Sequence, residues 1–428
     1  MKRAIIDFST AVGQMKPQHC ISYATRGGRG FVGDLCEKLG LSVFSRMRDQ
    51  THGYGKSVNI PYIFRNFDAD ENDPASYYFP QTDEAMEDFS TYAEHKIFCL
   101  GAPYELHAPR IYSAFPKDFR KWAQICVNVI RHYNDGLWDG FRYGIDYFEV
   151  WNAPDSARFS EGTVEQYCEL YAATARAIKA FDPTLKVGGA SFALNDEHGF
   201  DFLSEFLRFV KENDLPLDFV SYNAYETDPA DVAYKIRRVQ DLLRAYGKPV
   251  EVFLDGFGCV DEKGHERTRF DHLRDEQGMA YLSAVMMLAQ KSNTDASIVY
   301  SLRTDSQYGA LLDWYGEWQK PLYSLFAYKE LYTLGTEVQS EGFGLYTLAA
   351  RGEDGNGAIL LTNFSEKTER AELLIRGIGK CRAVYRAIDK TRDLAPVKEE
   401  LYSSGEIHAA VELRGFSTVL VELTPLRD

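Results

Sequence analysis

Eight short apolar segments, each followed by a longer amphipathic segment, repeat between about residue 18 and residue 335. The short segments are typical of buried strands, and the longer ones carry apolar residues at the three- and four-residue spacing of helices. Such a succession predicts an α/β fold with a parallel sheet, and eight units predict a closed (β/α)8 TIM barrel. The predicted strands lie at 20–24, 42–47, 96–101, 146–151, 186–192, 218–225, 250–256 and 297–302.

An open, doubly wound sheet is the alternative architecture for such a repeat. That fold normally has a GxGxxG turn after its first strand, where the phosphates of a dinucleotide bind. The glycine-rich segment that follows the first predicted strand here, RGGRG at 26–30, has the spacing GGxG. We therefore expect the closed barrel.

The pattern changes after residue 335 to short alternating strands separated by polar turns such as RGEDGNGA at 351–358. This pattern predicts an all-β domain, and we expect a sandwich. The predicted domains are a barrel at 15–335 and an accessory β-sandwich at 336–428. Residues 1–14 could add a strand to the second domain.

Net charge and cysteine content argue against several kinds of partner and site. The formal net charge of −15 disfavours binding to nucleic acid, because it repels the phosphate backbone. The seven cysteines are scattered and never form a CxxC pair, which argues against a disulfide framework or a zinc site. No apolar run has the length of a signal peptide core or a membrane span. We expect a cytoplasmic protein without metal or cofactor, and the sequence leaves open whether it forms a homo-oligomer.

The fourth predicted strand leads into the segment DYFEVWNAPDS at 146–156. Active sites of such barrels lie at the C-terminal ends of the strands, which makes this segment a candidate site. Side chains alternate along a strand, so Glu149, Trp151 and Ala153 are expected to share a face. Trp151 could present an aromatic plane to the C–H face of a sugar, and the Asn152 amide could bind hydroxyl groups.

Several long motifs resemble glycoside hydrolase family 39, the family of retaining β-xylosidases and α-L-iduronidases. The resemblance is carried chiefly by PKDFRKWAQICVNVIRHYNDG at 116–136 and GIDYFEVWNAPD at 144–155. It extends through CLGAPYELH, LKVGG, LDFVSYNAY and YGALLDWYGEWQKPLYSLFAYKEL, and covers most of residues 40–335. The resemblance implies a glycosidase barrel with an accessory β-domain, and a carbohydrate or glycoside as ligand.

Both catalytic carboxylates of that family are missing at the matching positions. The family motif Trp-Asn-Glu-Pro places its acid/base where this chain has Ala153, and the nucleophile motif is best matched by LDGFG, which puts Gly256 at the nucleophile. Retaining hydrolysis needs two carboxyl groups about 5–5.5 Å apart, and neither residue supplies one. The weak substitutes are Asp155, Asp255 and Glu226. Alternation predicts that Asp255 points away from the pocket, and Glu226 is expected to be a solvated loop charge.

The resemblance also implies further sugar-binding positions. Glu105 and His107, in the loop after the third predicted strand, match family positions near the sugar. Tyr225 is kept from the family motif after the sixth strand, whereas Asn223 stands where the family usually has histidine. Because residues around both catalytic positions have also changed, natural divergence is favoured over an engineered knockout.

Three functional hypotheses follow. The first is a carbohydrate-binding, glycosidase-like protein whose catalysis is impaired. The second is an active, β-xylosidase-like glycosidase that uses displaced carboxylates, or the engineered knockout of an active enzyme. The third is a structural or scaffolding protein that assembles through its β-domain.

Overall fold

The structure is a computed structural model, and it describes residues 2–22, 43–47, 58–90, 93–102, 114–261, 268–302, 307–313, 315–403 and 405–426. Its helices are α1 (Ile60–Ile63), α2 (Pro80–Phe89), α3 (Phe119–Asn134), α4 (Val164–Phe181), α5 (Glu197–Glu212), α6 (Pro229–Tyr246), α7 (Glu276–Gln290) and α8 (Lys320–Leu334). A short 3-10 helix spans Pro74–Ser76.

The strands fall into two groups. The first nine are β1 (Lys2–Gln14), β2 (Cys20–Ile21), β3 (Phe44–Met47), β4 (His95–Leu100), β5 (Tyr147–Val150), β6 (Lys186–Phe192), β7 (Phe219–Glu226), β8 (Glu251–Cys259) and β9 (Ala296–Val299). After α8 come β10 (Thr336–Phe343), β11 (Tyr346–Arg351), β12 (Gly357–Asn363), β13 (Glu369–Arg376), β14 (Cys381–Asp389), β15 (Arg392–Tyr402), β16 (Ile407–Leu413) and β17 (Ser417–Pro425).

Strands β2 to β9 form an eight-stranded sheet in the order β2-β9-β8-β7-β6-β5-β4-β3. The first strand of the repeat therefore neighbours the last, as closure into a ring requires. The parallel register places Ile97 opposite Tyr147 and Phe148 opposite Val187. A doubly wound sheet would reverse its strand order near the middle, and this order does not. The predicted barrel is confirmed.

Local sequence signals position the helices between these strands. Asp118 caps α3 by accepting hydrogen bonds from the backbone N–H groups of Arg120 and Lys121, and the apolar face of α3 is buried. Thr163 and Gln166 form a reciprocal capping box at the start of α4. Gly247 ends α6 with a φ of 75°, a left-handed conformation that glycine adopts without steric cost.

The remaining strands form a nine-stranded sheet in the order β15-β14-β17-β12-β11-β10-β1-β13-β16. Strand β1 lies within it, antiparallel to β10 and parallel to β13. Residues from both ends of the sheet, such as Tyr385 on β14 and Val411 on β16, contribute to one hydrophobic core. The sheet therefore curls around that core, which agrees with the predicted sandwich. We name this part the β-domain.

The chain packs as two compact units. The first consists of Met1–His19, Tyr225–Ala233 and Phe257–Asp428, and the second of Cys20–Ala224 and Tyr234–Gly256. Within the first unit, α7 approaches the β-domain through the amide of Gln290, which donates to Glu337 at 2.6 Å. The domain limits 15–335 and 336–428 stay a prediction.

The cysteines in the part of the chain that the structure describes are all free thiols. These six cysteines, at positions 20, 99, 126, 168, 259 and 381, are unpaired and buried. Burial raises the pKa of the Cys20 thiol to about 12, so this group stays protonated and unreactive near neutral pH.

No helix in the described ranges is long and apolar enough to span a membrane.

Candidate functional site

The candidate site in the second unit is built around the end of β5. The strand stops at Val150, and Trp151 and Ala153 follow with φ values of 70° and 45°. Left-handed backbone is uncommon for residues with a side chain, and here tertiary hydrogen bonds hold it. The Trp151 N–H donates to the Leu100 carbonyl at 3.0 Å, and the Ala153 N–H donates to the Ala190 carbonyl at 2.7 Å.

This turn changes the direction of the side chains. The Trp151 ring packs against Phe115 and Trp122, with ring centroids 4.9 and 5.7 Å away, whereas Glu149 contacts Arg46. The expectation that Glu149, Trp151 and Ala153 share a face is therefore wrong, because alternation ends with the strand. Trp151 is only 2% exposed, so its ring does not present an open plane to a sugar.

A buried ionic network lies beside the turn. Arg46, on β3, donates through Nε to Oε2 of Glu149 at 2.8 Å and through Nη2 to Oδ1 of Asn152 at 2.9 Å. Its Nε also lies 3.1 Å from Oδ2 of Asp255. Ser221 donates to Glu149, and Ser191 donates to Asp255 at 2.8 Å. All of these side chains are buried, so the network fixes the end of β5 against β3 and β8.

The two carboxyl groups of this network differ in protonation. Burial, reinforced by the negative charge of Glu149, raises the pKa of Asp255 well above its usual range. Burial also acts to raise the pKa of Glu149, but the Arg46 guanidinium and hydrogen bonds from neighbours outweigh it and lower that pKa. The Arg46 guanidinium contacts both carboxyl groups, and it donates more hydrogen bonds to Glu149 than to Asp255. At neutral pH we therefore take Glu149 as ionised and Asp255 as the protonated partner.

The remaining predicted polar residues of the second unit have structural partners. Asp155 accepts the backbone N–H groups of Ala193 and Leu194 at 2.9 and 2.8 Å, and burial raises its pKa. Asn223 is half-buried and donates through Nδ2 to the Ser191 carbonyl at 3.1 Å. Gly256 is buried inside β8, which continues to Cys259, beyond the end of the predicted strand.

Two predicted residues belong to the first unit. Tyr225 is half-buried, and its ring centroid lies 5.3 Å from that of Tyr308. Glu226 is only 7% exposed and is the last residue of β7. The expectation of a solvated loop charge at this position is therefore wrong, because the strand continues through it. Glu105 and His107 lie outside the described residues.

Sequence reasoning missed three residues of the network. A lone arginine inside the apolar segment SVFSRM was a signal that a buried acidic partner exists, because a cation is rarely buried unpaired. Ser191 and Ser221 carried no such signal, since buried serines are common in strands of any barrel.

Comparison with known proteins shows a similarity to one family over part of the chain. Residues 107–246 match the model of glycosyl hydrolases family 39. The chain is 38% identical over 116 residues to a β-xylosidase of Geobacillus stearothermophilus, covering 26% of this chain and 21% of the relative. It is 36% identical over 121 residues to a β-xylosidase of Caldicellulosiruptor saccharolyticus, covering 27% and 22%. These matches thus span about a fifth of the length of the curated relatives.

Solved structures share the whole fold at lower identity. A glucosidase from Croceicoccus marinus superposes with a TM-score of 0.79 at 22% identity, covering 100% of this chain and 99% of the other. A monomeric β-xylosidase from Caulobacter crescentus gives 0.77 at 19% identity, with 100% of both chains covered. The segment that matches the family model contains Ala153 but ends before Gly256. The assignment of Gly256 to the nucleophile position therefore depends on the motif resemblance alone.

Proposed function

We propose that the chain is a member of glycoside hydrolase family 39 and that it binds a carbohydrate or glycoside at the C-terminal ends of its barrel strands. Such barrels place their ligand sites at this end. Within the second unit, Asn223 lies near the C-terminal end of β7 and is half-buried, and an amide of this kind suits sugar hydroxyl groups. Asn152 is 3% exposed and its Oδ1 accepts from Arg46, so it supports the site without presenting its amide to a ligand. The whole-chain activity of the relatives is not carried over, because the sequence match covers only part of them.

We further propose that hydrolysis is impaired, and one observation carries this proposal. Ala153 lies inside the segment that matches the family model, at the turn after β5 where the family resemblance expects the acid/base. A methyl group cannot protonate a leaving oxygen, and the loss of proton transfer typically costs about 10²–10⁴ in rate. At Gly256 a hydrogen atom stands where the family resemblance expects the second carboxylate, the nucleophile.

The contacts of the nearby carboxyl groups of the second unit support the proposal that hydrolysis is impaired. Asp155 is occupied by two backbone N–H groups, and Asp255 is buried between Ser191 and Arg46. A general acid or a nucleophile must reach the substrate, and neither group is free to do so in this arrangement. These contacts count against an active enzyme with displaced carboxylates.

The direct experiment measures hydrolysis of 4-nitrophenyl β-D-xyloside by the unaltered chain and by the double variant Ala153→Glu/Gly256→Glu. We expect turnover only in the double variant, exceeding the unaltered chain by at least about 10²-fold. The double variant Ala153→Gln/Gly256→Gln is the matched control, because it adds similar volume without a carboxyl group.

Equal turnover by the unaltered chain and the Glu variant would contradict the impaired reading and favour displaced carboxylates. Addition of azide to the unaltered chain gives a second test. Rescue by this external nucleophile would indicate an otherwise intact glycosidase pocket, as in an engineered knockout.

Binding is measured separately, by calorimetric titration with xylose and xylobiose. We expect Asn223→Ala to weaken the affinity by about tenfold, because a hydrogen bond to a sugar hydroxyl is lost. Asn356→Ala is the control, since it removes a half-buried amide from a turn of the β-domain. No binding of any sugar by the unaltered chain would leave the scaffolding hypothesis as the better one.

A further inference from the structure

A groove opens where the two free edges of the nine-stranded sheet approach each other. These edges are β15 and β16, and Lys398 on β15 donates to the carbonyl of Ala410 on β16 at 3.3 Å. The groove beside this contact has a volume of about 760 Å³, within the range of small-ligand sites. We call it the seam groove. Its lining includes the polar residues Arg3, Arg370, Glu372, Lys398, Glu400, Tyr402 and His408.

The charged groups of the seam groove divide into paired and unpaired ones. Glu400 is neutralised by Lys398 at 2.8 Å and accepts a hydrogen bond from the Tyr402 hydroxyl. His408 lies 2.9 Å from Glu406 through Nε2. Arg3 and Arg370 are exposed, and within the described ranges neither guanidinium makes an ion pair or a side-chain hydrogen bond. Two guanidinium groups are therefore available to a ligand.

Protection of the sheet edges explains only part of this arrangement. Charged side chains on edge strands prevent pairing with other chains, and Lys398 and Glu400 on β15 fit that role. Arg3 and Arg370 lie on β1 and β13, which are interior strands of the sheet with partners on both sides. Protection of the sheet edges therefore does not account for these two cationic groups.

We propose that the seam groove binds an acidic oligosaccharide, with a sugar carboxylate held by the guanidinium groups of Arg3 and Arg370. A guanidinium matches a carboxylate in a two-point geometry, which makes arginine the suited cation. The Tyr402 hydroxyl and the Glu372 carboxylate, also in the lining, can bond sugar hydroxyl groups. That the anion is a sugar rests on the proposed function, whereas the anion preference rests on the groove itself.

Calorimetric titration of the full chain tests the proposal with two probes of equal size. One is xylotriose carrying a glucuronic acid branch, and the other is unbranched xylotetraose. We expect the double variant Arg3→Gln/Arg370→Gln to lose at least about tenfold in affinity for the branched probe and to bind the unbranched probe unchanged. Arg382→Gln is the matched control, because Arg382 is an exposed arginine of the β-domain outside the groove, and it should bind both probes normally.

Equal affinity of the unaltered chain for the two probes would overturn the proposal, as would an equal loss in the Arg382→Gln control. Inorganic phosphate binding as tightly as the branched probe would overturn the sugar part and leave a simple anion site. Asn223→Ala separates this proposal from the barrel site. If barrel binding fails, the branched probe should still bind, with an affinity that Asn223→Ala does not change.

Discussion

The guanidinium of Arg46 donates to the carboxylate of Glu149 at 2.8 Å, and the two side chains are 4% and 0% exposed. Removing one partner of a buried ion pair leaves an uncompensated charge and typically costs about 3–5 kcal/mol. For Glu149→Gln we expect a loss near the lower limit, because Asp255 can then ionise beside Arg46. Chemical denaturation measures this loss. Glu212→Gln breaks the exposed pair with Arg208 and should cost less than about 1 kcal/mol.

The protonation of Asp255 predicts a pH dependence of stability. Its pKa in the folded chain is raised above the ordinary value of 3.8, so the folded chain holds this proton more tightly than the unfolded chain. The stabilising contribution is therefore complete below about pH 3.8 and is lost as pH rises toward the folded pKa. Asp255→Asn keeps a neutral donor of similar shape, and we expect its stability relative to the unaltered chain to increase with pH. Unfolding midpoints at pH 5, 7 and 9 check this, and parallel profiles would refute it.

The burial of Trp151 predicts a structural role. Its ring contacts Phe115 and Trp122, and its indole N–H donates to the Phe159 carbonyl at 3.3 Å. Trp151→Ala should destabilise the chain by about 3–5 kcal/mol, as usual for a large buried ring. The control Trp318→Ala, at a half-exposed ring, should cost less than about 1.5 kcal/mol. A stable Trp151→Ala variant with weakened sugar binding would instead favour the aromatic platform predicted from the sequence.

Gly377, which directly follows β13, lies close to the backbone of β1. A Cβ at this residue would lie 2.4 Å from the backbone nitrogen of Ser9, at a φ of 72°. Gly377→Ala should therefore cost more than the usual 1–2 kcal/mol of a left-handed residue, because backbone must move. Gly335→Ala is the matched control, with a φ of 85° and no atom within 4 Å of the added carbon. Equal losses of thermal stability in the two variants would contradict the close approach.

Much of the fold could be predicted because buried strands and helices have a regular spacing of apolar residues in the sequence. The apolar segments predicted the eight strands of the barrel sheet. Strand β15 carries no such pattern, because it is an edge strand, half exposed and rich in charged residues, and lacks an apolar face.

The candidate site was less predictable because its contacts are distant in sequence. Arg46 and Glu149 are 103 positions apart, and no local signal pairs them. The direction of Trp151 depends on a single left-handed residue, which strand alternation does not foresee. Burial of Glu226 likewise depends on where β7 ends, and boundaries are the least certain part of a sequence-based assignment.

The position of β1 has a consequence for folding during synthesis. This strand precedes the other described elements in the sequence, yet its neighbours β10 and β13 lie beyond residue 335. Its apolar residues Ala4, Ile6 and Phe8 therefore have no sheet to join until β10 and β13 have been synthesised. A ribosome that stalls in the barrel region would leave a nascent chain with an orphan strand, which is a target for chaperones.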